Sequence, residues 1–340
     1  MKAVVLVGGE GTRMRPLTET IPKPLLPLAN RPFLSEVLDR LADHGVEEVV
    51  LSSPYLESTF RPFIDSRHGS APSVVWITET QPLDTAGAIV NALPLLGEGA
   101  FFVLNGDILT DLDFTALLRF HRERGAEATI TLAHVEDARA FGLVTTDADA
   151  RVQEFREKPQ DPVAGDVNSG TYVLEPSVLR SWQRGQRVNI EREVFPVLIE
   201  RDVPVFGFLS DAYWMDLGTP EKYLQAHVDL LEGRLAGRRY DAPLVAEGAQ
   251  VDTNARIGSR VVLGAGAVVE EDAWVEDSVL HAGAVVQRNA TVSRSILGPA
   301  SRVGFGAVAE GVVLAEGAEI APEARAEGER VPPGERFPAA

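Results

Sequence analysis

Apolar residues follow two different rhythms along this chain, and the change falls near residue 240. Up to about residue 232, short β-branched runs alternate with segments of helical spacing. Residues 4–7, 46–52, 74–77, 101–104 and 128–133 read as strands, and residues 33–44, 85–95 and 114–124 as helices. In the first of these helices Phe33, Val37, Leu38 and Leu41 share one face, and Gly45 ends the segment. Such alternation predicts an α/β sheet with helices against it. Glycine or asparagine at the strand ends places the functional loops at one edge.

From about Leu244 the helical spacing vanishes. Val251, Ile257, Leu263, Val269 and Val275 recur every six residues, with Gly258 and Gly264 directly after two of them. The register then slips and returns at Leu297-Gly298, Val303-Gly304, Ala309, Ala315 and Ala321. A six-residue period of small aliphatics predicts a parallel β-helix, whereas an ordinary alternating sheet needs period two. A helix-like stretch, 220–235, joins the halves, and Gly237-Arg238-Arg239 marks the hinge. The expected domains are 1–236 and 244–322. Residues 323–340, charged and proline-bearing, are expected to form a loosely ordered tail.

Composition narrows the function. A net charge of −18 over 340 residues argues against non-specific binding to nucleic acid or an anionic membrane. With no cysteine, disulfides, thiolate zinc sites and a cysteine nucleophile are excluded. The apolar run after Lys2 stops at Gly8, too short for a secretion signal, and no segment approaches the roughly 20 apolar residues of a membrane span. A cytoplasmic protein is expected.

The candidate chemistry starts at the first strand. Val4-Val5-Leu6-Val7 opens into Gly8-Gly9-Glu10-Gly11-Thr12-Arg13-Met14-Arg15-Pro16, and Lys23 follows between Pro22 and Pro24. Glycine N–H groups can form a concave nest for an anion, and the arginines and the stiffened lysine add charge. The spacing is neither that of a dinucleotide fingerprint nor that of a P-loop. Further on, Asn105-Gly106-Asp107 ends a strand and Trp214-Met215-Asp216-Leu217-Gly218-Thr219-Pro220 precedes a helix. Two carboxylates from separate elements suit Mg²⁺, although either aspartate alone reads as a turn residue or a helix cap.

These segments together resemble the sugar-1-phosphate nucleotidyltransferases, whose pattern is a strand, G-G-x-G-T-R-L-x-P-L-T and then P-K-P. Met14 stands where that family has leucine. The resemblance implies a Rossmann-like nucleotidyltransferase domain followed by a left-handed β-helix of about four three-sided coils. It assigns nucleotide contacts to Leu6, Gly8, Gly9, Gly11, Thr12, Arg13, Lys23, Pro82, Asp84 and Thr85. It makes Asp107 and Asp216 the Mg²⁺ ligands. Phe155-Arg156-Glu157-Lys158-Pro159 matches the family's E-K-P motif, so Lys158 is expected on the sugar phosphate and Glu157 on a sugar hydroxyl. Gly142 and Asn168 match the sugar-lining positions.

The loop Gln81-Pro82-Leu83-Asp84-Thr85-Ala86-Gly87-Ala88 is closest to the mannose-1-phosphate guanylyltransferase branch, with Asp84 in place of that branch's glycine. Two readings stand for Asp84: a carboxylate that accepts from guanine N1–H and its amine, or a cap on the following helix. Ile190-Glu191-Arg192-Glu193-Val194-Phe195-Pro196 also has the look of that branch but suggests no chemistry. The expected reaction joins an NTP, GTP for this branch, to mannose 1-phosphate with release of pyrophosphate. Glucose, heptose or cyclitol phosphates would suit similar loops. The alternatives of other classes are a non-catalytic sensor of sugar nucleotides and a bifunctional acyltransferase, for which the β-helix offers only His281. The flat faces of the β-helix suggest a homo-oligomer. Removing the repeat from about Leu244 is expected to leave a soluble domain of changed assembly state, and because all the motifs precede Leu244 the chemistry need not be lost with it.

Overall fold

A computed structural model describes residues 1–54 and 57–339. The sheet-forming half contains β1 (Lys2–Leu6), α1 (Phe33–Asp43), β2 (Glu48–Ser53), α2 (Glu57–Ser66), β3 (Ser73–Thr78), α3 (Asp84–Leu96) and β4 (Phe101–Asn105). It continues through α4 (Phe114–Glu123), β5 (Ala128–Val135), β6 (Gly142–Thr146), β7 (Val152–Glu157), β8 (Gly165–Leu174), α5 (Phe195–Glu200) and β9 (Val205–Leu209). The sheet order is β7-β6-β8-β4-β1-β2-β3, with β5 paired to β8 and β9 to β5. β1 is parallel to both neighbours, Val4 lying opposite Val50 on one side and Val103 on the other. The chain leaves β1 toward β2 and later returns to its other side as β4, so the edge beyond Leu6 is the switch point where ligands bind in open α/β sheets. The strands and helices expected from apolar spacing all form. The sequence reading left out α2, α5, the antiparallel strands β6 to β8 and β9, which is parallel to β5.

By contact the chain divides into two compact units, Met1–Gly9 with Glu36–Trp214, and Glu10–Ser35 with Met215–Ala340. The division does not follow the change of rhythm near residue 240. It runs inside the glycine turn, and it assigns the segment after Gly9 to the unit that carries the β-helix.

In the first unit the core forms between the sheet and α3, α5 and their neighbours, with Val4, Ile89, Phe101, Tyr172 and Phe195 almost fully buried. Asn105, Asn168 and Gly170 meet where β8 bulges against β5, with Asn168 opposite Leu132 and Tyr172 opposite Ile130. Gly170 adopts φ +77°, and a Cβ there would lie 2.7 Å from Asn105 Nδ2. Only glycine suits that turn of the bulge.

In the second unit α6 (Pro220–Leu231) is capped by Thr219, whose hydroxyl accepts from Lys222 N–H at 3.4 Å. The β-helix begins at Leu244–Val245 and stacks three parallel sheets of six, six and five strands. Strands of the first face start at Leu244, Val262, Val279, Ile296, Val313 and Arg330, so the first coil has eighteen residues and each later one seventeen. The register slip seen in the sequence therefore recurs once per coil, at the tight corner after the third face. There Asp277, Arg294, Gly311 and Gly328 take left-handed backbone. The interior is filled by small aliphatics such as Ala267, Val269, Val286, Val303 and Ala318.

Two expectations change. Residues 323–340 are not a loose tail: Arg325–Glu327, Arg330–Val331 and Arg336–Phe337 pair with the preceding coil. Ala324, Ala326 and Val331 enter the same core, so the charged residues between them occupy only outward positions. The β-helix thus has five full coils and two further strands in place of about four coils.

The early segment Glu10–Ser35 is built from three short 3₁₀ turns, Thr12–Met14, Leu17–Glu19 and Lys23–Leu25. Its apolar residues Met14, Leu17 and Leu26 form one buried cluster with Tyr223, Ile296 and Val313. Asn30 Nδ2 donates to the Leu263 carbonyl at 2.9 Å. β-helix side chains thus cover the underside of the basic segment, which does not stand independent of the repeat although its motif residues precede Leu244.

Candidate functional site

The first unit brings its predicted residues to one sheet edge. Leu6 ends β1, and its carbonyl accepts from Gly106 N–H at 2.9 Å, which seats the turn carrying Asp107. Gly8 lies against Pro54, where a Cβ would come within 2.6 Å, while Gly9 is open and exposed. Gly142 and Glu157 face each other directly across β6 and β7. A Cβ on Gly142 would lie 2.6 Å from the Phe155 ring and 3.1 Å from Glu157 Oε2, so glycine leaves the carboxylate its space. Lys158 follows with φ +50°, anchored by its N–H to the Phe141 carbonyl at 3.0 Å, and its ammonium stands 3.8 Å from Glu157. Asn168 sits at the bulge, where its Oδ1 accepts from Gly170 N–H at 2.9 Å.

At the start of α3, Pro82 is exposed and Asp84 and Thr85 are half-buried. Asp84 has φ +62°, a left-handed conformation that suits glycine better than a carboxylate residue. Its Oδ1 accepts from Thr85 N–H at 2.9 Å and from Asn189 Nδ2 at 2.8 Å, and its Oδ2 is 3.8 Å from Arg187. The carboxylate is thus held by the chain itself. Glu79, just upstream, is buried and accepts from Ser52 Oγ at 3.0 Å and Leu83 N–H at 2.9 Å. Burial raises its carboxyl above the usual range, against the pull of those donors.

The second unit gathers the remaining predicted residues around one carboxylate. Asp216 lies 3.9 Å from Arg13, 3.9 Å from Lys23 and 3.5 Å from Lys222. Its Oδ1 is buried and has no hydrogen-bond partner. A buried oxygen of this kind, among cations and without a donor, suits a hard metal ion as its missing partner. Gly11 turns the chain with φ +61°, and Thr18 Oγ1 donates to its carbonyl at 2.7 Å. Thr12 and Arg13 then project into solvent. Lys23 is largely enclosed, and the 3₁₀ turn that starts on it fixes its base. No group of three or more metal-ligating side chains occurs among the described residues, consistent with an ion that takes one or two carboxylates and completes its shell with water and phosphate.

A family model described as Nucleotidyl transferase matches residues 2–233, more than half of the chain. The chain belongs to the nucleotidyl transferase family. A second model, the GMPPB C-terminal domain, matches residues 240–336. A mannose-1-phosphate guanylyltransferase from Mycobacterium tuberculosis is 41% identical over 273 residues, 78% of this chain and 76% of that protein. A probable mannose-1-phosphate guanylyltransferase 3 from Oryza sativa is 36% identical over 287 residues, 82% of this chain and 79% of its own length. Among solved structures, HddC from Yersinia pseudotuberculosis has a TM-score of 0.57 and 31% identity, over 66% of this chain and 97% of that one. The same protein complexed with GMP-PN gives a TM-score of 0.55 at 30% identity over the same shares. As a member of the family this protein is a sugar-1-phosphate nucleotidyltransferase, an enzyme of nucleotide-sugar biosynthesis, and such enzymes generally depend on a metal ion.

Three site residues escaped the sequence reading. Lys222 occupies the first turn of α6, where a helix dipole disfavours a cation, and that misfit is the signal that could have found it. Glu79 and Glu191 accept from groups distant in the chain, Ser52 for the one and Thr85 and Tyr172 for the other, and no local pattern marks them. His281, the one candidate for acyl-transfer chemistry, is 2% exposed and bonded to Tyr223, so it has no access to a substrate. No helix among the described residues is long and apolar enough to cross a membrane.

Proposed function

We propose that this enzyme joins GTP to mannose 1-phosphate, giving GDP-mannose and pyrophosphate. The nucleotide and sugar come from the printed names of its relatives and from the GMP-PN complex of HddC. The single observation in this chain that carries the reading is Asp216, buried among Arg13, Lys23 and Lys222 with one oxygen lacking a partner.

An oxygen of the sugar 1-phosphate attacks the α-phosphorus, the bond to the β,γ-pyrophosphate breaks, and pyrophosphate leaves with the electron pair. The attacking oxygen is already ionised, so no covalent nucleophile is needed, and the chain supplies position and charge neutralisation. Gly8, Gly9, Gly11 and Thr12 line the phosphates with backbone donors, and Arg13 and Lys23 offset their charge. Leu6, Pro82, Asp84 and Thr85 shape the nucleoside side. Lys158 holds the attacking phosphate, Glu157 accepts from a sugar hydroxyl, Gly142 leaves room for the ring, and Asn168 donates to it. Asp216 and Asp107 would hold Mg²⁺, which neutralises charge on the phosphates when bound.

The β-helix serves assembly of a homo-oligomer, supported by exposed Val245, Val251, Trp274 and Phe305 on its surface. Nucleotide and sugar phosphates as substrates fit action in the cytoplasm. The deciding experiment is a matrix of NTPs against sugar 1-phosphates scored by pyrophosphate release. Fastest turnover with another nucleotide or another sugar phosphate would overturn the assignment, and light scattering of the intact protein tests the oligomer.

A further inference from the structure

Glu191 is a half-buried carboxylate to which the proposed chemistry gives no task. It lies in a five-residue π-helical turn, Ile190–Val194, that opens directly into α5. π-Turns inside helices recur at functional sites. Asn189 caps this one, its Oδ1 accepting from Arg192 N–H at 2.8 Å while Glu193 Oε1 accepts from Asn189 N–H at 2.8 Å. The turn is therefore held from both sides, and Glu191 projects from it inward.

The hydrogen bonds around Glu191 have only one consistent direction. On one side Ile190 N–H donates to Thr85 Oγ1 at 2.8 Å, so the Thr85 hydroxyl must give its proton to Glu191 Oε2 at 2.9 Å. On the other side Asn168 Nδ2 donates to the Tyr172 hydroxyl at 2.8 Å, and that hydroxyl gives its proton to Glu191 Oε1 at 3.3 Å. Asn168 Oδ1 already accepts from Gly170 N–H, which fixes the amide's orientation. Both chains end on the same carboxylate, one running from the start of α3 and the other from the bulge of β8. Tyr172 is fully buried, so its hydroxyl has no water as an alternative partner.

We propose that Glu191 is a positioning residue, whose carboxylate ties Thr85 on the nucleoside side to Asn168 on the sugar side and orients the Asn168 amide to present an N–H to the sugar. The proposal rests on the reading of those two residues given above. Its chemistry requires an acceptor at both oxygens. In Glu191→Gln one end becomes an NH₂ group facing a hydroxyl that already receives a donor. Either that hydroxyl loses its acceptor or Asn168 turns over and sets its own NH₂ against Gly170 N–H. Burial raises the Glu191 carboxyl above its ordinary range, against the pull of the Thr85 and Tyr172 hydroxyls.

The test is steady-state kinetics with GTP and mannose 1-phosphate on the full-length enzyme, Glu191→Gln, Tyr172→Phe, Thr85→Val and the Tyr172→Phe/Thr85→Val pair. Tyr172→Phe removes one oxygen and frees the Asn168 amide. It should raise KM for the sugar phosphate about fivefold, with KM for GTP within about twofold of wild type. Thr85→Val should also raise KM for the sugar phosphate, an effect that only a link through Glu191 transmits. The paired variant should lose less than the product of the two single losses, because both act on one carboxylate. Glu191→Gln should raise both KM values, and if it fails to fold the two isosteric variants still decide. Independent, multiplying effects of Tyr172→Phe and Thr85→Val, or an unchanged sugar-phosphate KM in both, would overturn the proposal while leaving the function intact. A wild-type enzyme inactive on every nucleotide and sugar-phosphate pair would overturn the function and this inference together.

Discussion

The phenol of Tyr223 on α6 and Nε2 of His281 in the β-helix lie 2.9 Å apart, both fully buried. The same phenol donates to the Pro27 carbonyl, so its single proton is committed and His281 must supply the proton between the two rings. The Nδ1 of His281 is then the bare nitrogen, buried without a partner. Burial, together with the nearby His227, pushes His281 down to about 3. His227 donates from Nδ1 to the Tyr223 carbonyl at 2.9 Å and is pushed down by burial to about 4. The chain that follows Lys23 is thereby tied to the third coil of the β-helix.

Replacing Tyr223 by Phe strands the Pro27 carbonyl and the His281 N–H in the interior. An unmet buried polar group costs about 1–3 kcal/mol, so the variant should lose at least about 2 kcal/mol of stability. Urea unfolding at unchanged m would measure it. A midpoint equal to wild type would mean that the triad carries no strain-bearing contact.

The two histidines predict a pH dependence. Both folded pKa values lie below the ordinary 6.5, so between that value and about 4 the unfolded chain takes up protons that the folded one refuses. Their contribution is complete above pH 6.5 and is lost as pH falls, by up to about 1.4 kcal/mol per pH unit for each histidine. A His227→Gln/His281→Gln variant should show a flatter stability profile across that window. Parallel profiles for the two proteins would remove the histidines from the account.

Ending the chain before Leu244 should abolish turnover. It strips Ile296 and Val313 from Met14, Leu17 and Leu26, and it removes the acceptor of Asn30. Burying such side chains stabilises by about 1.5–3 kcal/mol each, so the basic segment should lose its order. Pyrophosphate release by the truncated protein at more than about a tenth of the wild-type rate would show that Glu10–Ser35 holds its shape alone.

The two aspartates proposed to hold the metal, Asp216 and Asp107, should fail differently. Asp216→Ala removes the counter-charge to Arg13, Lys23 and Lys222, so kcat should fall about a hundredfold or more while the enzyme binds GTP more tightly. Asp107→Ala should lower kcat without that gain in nucleotide affinity. Equal GTP affinities in both variants, measured by calorimetry without Mg²⁺, would contradict the charge argument.

At Asp84 the carboxylate is bound to Thr85 N–H and Asn189, and asparagine can accept from both and tolerates the left-handed backbone. Asp84→Asn should therefore change kcat/KM for GTP and for ATP alike, within about threefold. A selective loss with GTP would revive direct reading of guanine by this side chain.

Much of this was legible in the sequence because it rests on local chemistry. Val4 to Val7 opening into Gly8 and Gly9 could only be a strand and a turn, and the six-residue recurrence from Val251 could only be a β-helix. What escaped depends on distant residues. Arg325 to Phe337 reads as a charged tail until the preceding coil supplies partners, since only every other side chain needs to be apolar. Glu191 becomes meaningful only when Thr85 and Tyr172, far apart in the chain, arrive at its two oxygens. Lys222 gains its role from Asp216, across the start of a helix.

The membership of Glu10–Ser35 in the unit that ends at Ala340 has a consequence for biosynthesis. The ribosome releases Met14, Leu17 and Leu26 long before Tyr223, Ile296 and Val313, against which they pack. Until those residues emerge the three side chains wait without their cover, a long-range dependence of the kind that slows folding and exposes apolar surface. The segment that carries Arg13 and Lys23 therefore takes its shape late, although it is made early.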